Sequence, residues 1–174
     1  KSDSAMQVRV AAVEALASCG AQAFSLLAEL SQLAGADLSY AALESLGTIE
    51  HSDSLQILHG ALESDDMERR VRAIRALARR RDPSTIKSLL VLAMGREETT
   101  SEEAIRALSG FSMAEAASAL IEAGRVPAKR DRCIAVLAGM GGRAVPALAY
   151  SLQRGDLETK RVAAEALTRI RTPD

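Results

Sequence analysis

The 174-residue chain has no tryptophan, two tyrosines and two phenylalanines. Recognition of unpaired or flipped bases uses aromatic stacking platforms, so this class of nucleic-acid binding is disfavoured from the outset. Cysteine is nearly as scarce. Cys19 and Cys133 cannot build a disulfide framework, so stability must come from burial, and a reducing, cytoplasmic setting is expected. Neither sign of charge dominates. Lys and Arg number 22 against 23 Asp and Glu, a net charge of −1, which argues against a dedicated polyanion or membrane-surface binder. Long apolar runs are missing too. The longest stretch without a charge, Ala15 to Ala28, is fourteen residues and contains Ser18, Gly20 and Gln22, too short and too polar to cross a bilayer. Finally, β-branched and aromatic residues never alternate over a useful length, so no strand is expected.

What the chain does have is an internal repeat. Leu16, Leu46, Leu77, Leu108, Leu137 and Leu167 follow one another at intervals of 30, 31, 31, 29 and 30 residues. Four positions before them stand Ala12, Ala42, Ala73, Ala104, Cys133 and Ala163. Three before stand Val13, Leu43, Ile74, Ile105, Ile134 and Ala164, and one before stand Ala15, Ser45, Ala76, Ala107, Val136 and Ala166. Positions −4, −3 and 0 share one face of a helix, and the small residues let neighbouring helices approach closely. A second helix in each unit is marked by apolar pairs three apart: Phe24 and Leu27, Leu55 and Leu58, Ile86 and Leu89, Ala117 and Leu120, Val145 and Leu148. Breakers and cap formers separate the two: Gly20, the Asp53 region, Asp82-Pro83 with Ser84, Gly110 with Ser112, and Gly139 with Gly141-Gly142. Gly35, Gly95, Gly124 and Gly155 close the second helices. The pattern predicts five two-helix hairpins and the first helix of a sixth at Asp156 to Ile170.

Units of this length and pattern resemble HEAT repeats, in particular the short HEAT-like type named after the bilin lyases of light-harvesting antennae. The resemblance covers essentially the whole chain and rests on Val8-Arg9-Val10-Ala11-Ala12-Val13-Glu14-Ala15-Leu16 and Lys160-Arg161-Val162-Ala163-Ala164-Glu165-Ala166-Leu167. It implies an all-α fold, a right-handed α-solenoid of antiparallel two-helix repeats, about five and a half of them, forming one domain over residues 1–174. The family's basic residue seven before the leucine stands as Arg9, Arg70, Arg130 and Lys160. Ser39 and Ser101 replace it in two units, where the implied inter-repeat salt-bridge ladder is therefore expected to be missing. The chain begins at Lys1 and stops at Thr172-Pro173-Asp174, where a second helix is due. A fragment of a longer, bacterial solenoid is expected, or an end that stacks on another copy.

Residues with chemical potential are better read as packing or solvated surface. Cys133 occupies a column filled elsewhere by alanine, and Cys19 shares its column with Ile49, Phe111, Met140 and Ile170, so both thiols are expected to pack. The only histidines, His51 and His59, lie eight apart with no carboxylate at ligand spacing, and no metal site is expected. Arg69, Arg70, Arg72, Arg75, Arg79, Arg80 and Arg81 form a dense run. Between Ser64 and Glu103, however, nine basic residues meet eight acidic ones, so a solvated, internally paired face is expected and a nucleic-acid partner is disfavoured. Gly139-Met140-Gly141-Gly142 lacks the strand and the Lys-Ser/Thr that a phosphate loop needs, and reads as a turn.

No catalytic residue or cofactor is assigned; the motif specifies fold more than function, and a non-enzymatic scaffold for a protein partner is expected, the alternative being a subunit of a bilin lyase or isomerase. In HEAT-type stacks the second helices line the concave face. Their outward positions are Ser25, Glu29 and Gln32; Gln56, Gly60 and Glu63; Lys87, Val91 and Met94; Ser118 and Glu122; Pro146, Tyr150 and Gln153. Most are polar. Val91, Met94 and Tyr150 are the apolar exceptions, and with Lys87, Gln56 and Glu63 they are the candidates for partner contact.

Overall fold

A computed structural model describes residues 2–32 and 36–170 of the chain. All regular structure among the described residues is helical, and the residues gather into two compact units, Lys1–Arg80 and Arg81–Asp174. The first unit holds α1 (Ser2–Leu16), α2 (Phe24–Ser31), α3 (Ala36–Leu46), α4 (Ser52–Leu62) and α5 (Met67–Arg80). In the second are α6 (Ile86–Ala93), α7 (Glu98–Ser109), α8 (Ala114–Ala123), α9 (Arg130–Met140), α10 (Val145–Arg154) and α11 (Leu157–Arg169).

Within each unit the helices form two layers. In the first unit α3 packs between α1 and α5, with α2 and α4 behind them. In the second, α9 packs between α7 and α11, and α8 between α6 and α10. The leucine column lies between the layers: Leu46, Leu77, Leu108 and Leu137 are fully buried, as are Ala42, Ala73, Ala104, Cys133 and Ala163 four residues earlier. Pairing of the helices differs from a self-contained hairpin. Each of α2, α4, α6 and α10 packs most extensively on the helix that follows it, so the apolar face of a second helix is buried largely by the next repeat.

Turn residues act largely as their chemistry dictates. Gly20 and Gly141 adopt positive φ, 60° and 58°, which only glycine occupies without strain. The Asp82 carboxylate accepts from the Ser84 N–H at 2.9 Å, with Pro83 at the first position of a short 3₁₀ turn. Three expectations need correction. The cap of α4 is His51, whose Nδ1 accepts from the Asp53 N–H at 3.2 Å, so Asp53 lies inside the first turn. Gly139 lies within α9 rather than in the turn after it. Val145, expected to be buried with Leu148, is 39% exposed, because it opens α10 before the helix reaches its neighbours. Gly35 and the Thr172-Pro173-Asp174 end lie outside the described residues.

One stretch, Ser4–Ser31, has the length and apolarity to cross a membrane. Its backbone breaks at Gly20 (φ 60°, ψ −141°), and the two resulting helices, α1 and α2, both pack on α3.

Candidate partner-binding face

On α6, Ile86, Leu89 and Ala93 turn into the core. The helical period then leaves Lys87, Val91 and Met94, at i, i+4 and i+7, along the opposite stripe. Val91 is 71% exposed and Met94 40%. The same division recurs on α10, where Ala147, Leu148 and Ser151 are buried while Pro146, Tyr150 and Gln153 are exposed. Tyr150 is 68% exposed. α8 lies between them and contributes Glu115 and Ser118. The structure therefore gathers Lys87, Val91, Met94 and Tyr150 into one layer of the second unit. Gln56 and Glu63 are exposed on α4, in the first unit.

Sequence reasoning missed a groove of about 420 Å³ between α6 and α8. Ile86 and Leu90 supply its apolar wall, Ala114, Ser118 and Ala119 face them, and Lys87 and Glu115 carry charge at its edges. The groove exists because the α8 side chains are too small to fill the space beside Leu90. That signal stands in the sequence as Ala114-Glu115-Ala116-Ala117-Ser118-Ala119, a run of small side chains.

The arginine run of α5 departs from a solvated face. Arg69 donates to Ser31 O at 2.6 Å and to Ser39 Oγ at 2.8 Å, and Arg70 donates to Ser64 O at 2.6 Å. Arg72 joins Glu68 and Glu44, each at 2.6 Å, and Arg79 reaches the other Glu44 oxygen at 3.1 Å. Arg80 donates to Ile49 O, to His51 O and to Ser54 Oγ. Arg69, Arg70 and Arg80 are thus spent on carbonyls between helices, including those at and beyond helix C-termini that a helix leaves without internal partners, and Arg72 and Arg79 on carboxylates. Most are half-buried, and the pairing expected of them holds while the solvation does not. Burial works against the charge of Glu44, but hydrogen bonds and attraction from Arg72 and Arg79 outweigh it and hold the carboxyl below its ordinary range.

The column seven before the leucine serves the same purpose. Ser39 Oγ donates to Ser31 O at 2.8 Å and Ser101 Oγ to Ala93 O at 2.7 Å, so the two serines satisfy carbonyls at the end of the preceding helix. Inter-repeat ion pairs do exist in those units, from other positions: Glu44 to Arg72, Glu98 to Lys129 at 2.6 Å, and Glu102 to Arg132. The ladder expected to fail there is carried by neighbouring columns.

Groups able to do chemistry are occupied otherwise. Cys133 is fully buried, and burial pushes its thiol up to about 12 despite the Lys129 charge. Cys19 is exposed, contrary to its expected packing, because α1 has a neighbouring first helix on one side only among the described residues. The His51 ring stacks on Phe24 at 3.7 Å between centroids, 8° from parallel. No group of three or more His, Cys, Asp or Glu converges on a possible metal position among the described residues. A second groove, about 340 Å³, runs between α1 and α3 and is lined by Met6, Val10, Glu14, Asp37, Tyr40 and Arg72 among others. At its rim the Tyr40 hydroxyl donates to Asp66 at 2.5 Å, a bond that raises the phenol's pKa and lowers the carboxyl's.

No family model matches the chain and no curated protein does either. Similarity appears among solved structures. The complex of CpcE and CpcF of phycocyanin lyase from Nostoc sp. PCC7120 contains a chain 21% identical, with a TM-score of 0.56 over 84% of this chain and 64% of that one. A designed armadillo repeat protein is 18% identical, with a TM-score of 0.51 over 93% and 92%. The present chain thus spans less than two thirds of the lyase chain. What is shared at such identities is the fold, that of α-helical repeat proteins of the α-solenoid class. Within that class the 29-to-31-residue leucine period and small-residue columns are HEAT-like.

Proposed function

We propose that the chain is a non-enzymatic, cytoplasmic scaffold that binds a protein partner on the layer formed by α6, α8 and α10. The observation carrying this reading is the exposure of Val91, Met94 and Tyr150 on helices whose opposite faces are packed, in the same layer that holds the groove at Leu90. Exposed aromatic and aliphatic side chains on a layer that also offers a preformed groove are the usual anchors of protein interfaces. Lys87 and Glu115 flank the groove and would fix the orientation of a bound segment. Gln56 and Glu63, exposed on α4 of the first unit, are proposed as partner contacts of that unit in its own right.

A bilin lyase or isomerase subunit is the second reading, supported by the similarity in fold to the phycocyanin lyase complex. The ring inventory weighs against it. Phe111 is buried and Phe24 is stacked on His51, which leaves two separate rings, Tyr40 in the groove between α1 and α3 and Tyr150 on α10, for a flat chromophore. The test is partner capture with the wild-type chain, repeated with Val91→Asp/Tyr150→Ala, alongside a bilin-transfer assay. The scaffold reading expects a captured partner, its loss on substitution with unchanged thermal unfolding, and no transfer. Undiminished capture by the variant rejects the face, and reproducible transfer replaces the reading with the lyase one.

A further inference from the structure

Two charges at the α6–α8 groove have no task inside the protein. Lys87 and Glu115, in the first turns of α6 and α8, stand on its opposite walls and are both exposed. Neither makes an ion pair or a side-chain hydrogen bond among the described residues, and the Ser118 hydroxyl in the same groove makes none either. Elsewhere in this unit opposite charges of successive repeats are spent on each other, as Lys129 is on Glu98 and Arg132 on Glu102. Because α6 and α8 hold equivalent places in successive repeats, they run in the same direction. Their first turns therefore bring one free charge of each sign to one end of the groove.

Past that end the groove is apolar. Ile86, Leu90 and Met94 follow one another at four-residue steps along one face of α6, with Leu90 half-buried and Met94 exposed. The small Ser118 and Ala119 of α8 leave room beside Leu90.

The walls decide which kind of backbone can lie there. Both are α-helices, whose N–H and C=O groups are bonded within the helix, so an extended segment finds no strand edge to join. Holding such a segment would take polar side chains spaced along the groove, yet the lining has no asparagine or glutamine and a single hydroxyl, Ser118. A helix brings its own backbone bonds and needs from the groove only apolar contact and suitable charges at its flanks. A helix with flanks of one sign would meet one matched rim and one opposed rim, so the two free charges call for one flank of each sign.

We infer that the groove receives an amphipathic helix of a partner protein, its apolar row seated on Leu90 and Ala119, with an acidic side chain reaching Lys87 and a basic one reaching Glu115. The assignment rests on the partner face proposed above and narrows it to one class of partner.

Three fluorescein-labelled helical peptides of about four turns test it by anisotropy, alike in their leucine row and different in their flanks. One carries Glu on one flank and Lys on the other, one Lys on both, and one Glu on both. The wild-type chain should bind the mixed-flank peptide with Kd below about 1 mM and the other two about two- to fivefold more weakly, a difference that shrinks in high salt. Lys87→Glu should turn the preference to the all-Lys peptide and Glu115→Lys to the all-Glu one, while Lys87→Glu/Glu115→Lys should restore the mixed-flank preference. Ser118→Leu, at an exposed position, fills the groove and should weaken the mixed-flank peptide at least about tenfold with unchanged thermal unfolding. Ala114→Leu, also exposed, takes its place if unfolding shifts. A mixed-flank peptide interrupted by proline should not bind, because it cannot hold the helix. Absence of mixed-flank binding, equal binding of the proline peptide, or a preference that does not follow the rim charges overturns the inference. Failure of the partner face reads differently. Partner capture that survives Val91→Asp/Tyr150→Ala rejects the face and this inference with it, whereas capture that is lost there while the peptides fail rejects the helix alone.

Discussion

Leu137 and Leu167 hold the same place in the repeat, yet Leu137 is fully buried and Leu167 is partly exposed. Cys19 differs from its column in the same way: Ile49 and Met140 are buried, whereas Cys19 lies open beside α1. The position in the repeat is the same within each comparison. What changes, among the described residues, is the number of first helices packed alongside, two for α3 and α9 and one for α1 and α11. In a repeat fold the interface with the next unit, more than the unit itself, completes a residue's burial.

The largest effect that would break this contrast lies in the leucine column. Leu137→Ala, like Leu77→Ala, should cost about 2 to 5 kcal/mol, the range for truncating a fully buried leucine, while Leu167→Ala should cost less than about 1.5 kcal/mol. Reversible denaturant unfolding of both variants decides it, and equal losses would mean that neighbours do not set the column's contribution.

A narrower test addresses close approach. Gly47→Ala places a methyl group 2.7 Å from the backbone of Ala76 and should destabilise by about 1 to 3 kcal/mol. The α3–α5 contact would have to yield for it to be neutral.

The thiols sharpen the comparison through pH. Unfolded, Cys133 ionises near its ordinary 9.0, and folded it does so near 12, so the unfolded chain loses its proton first. Its contribution is intact below pH 9 and falls as pH rises toward 12, by about 1.4 kcal/mol per pH unit. Cys133→Ala, which restores the residue common to this column, should remove that slope from the stability profile. Iodoacetamide at neutral pH should add one alkyl group to the native chain, on Cys19, and a second only on unfolding. Two groups on the native chain would mean that Cys133 opens readily.

Smallest is the gain from Gly60→Ala. Gly60 lies within α4, is exposed, and has nothing within 4 Å of an added Cβ, so the substitution should stabilise by about 0.5 to 1 kcal/mol. A loss in thermal unfolding would place an unseen contact on that face.

How much of this was written in the chain depends on the range over which each feature is decided. The spacing of Leu46, Leu77, Leu108 and Leu137, the small residues around them and the Asp82-Pro83 turn determined the helices, their period and their buried faces. They could do so because helical periodicity, caps and turn preferences act over a few residues. The outward register of the second helices was legible for the same reason: Lys87, Val91, Met94, Tyr150, Gln56 and Glu63 all came out exposed. Tertiary structure alone decided which copies of a column are covered, as at Ala12, Cys19 and Ala164. It also sent the arginines of α5 to carbonyls as far away as Ser31 and opened the groove between α6 and α8. Each of these depends on partners about one repeat or more away, and a side chain's own neighbourhood in sequence carries no record of the helix that will pack against it.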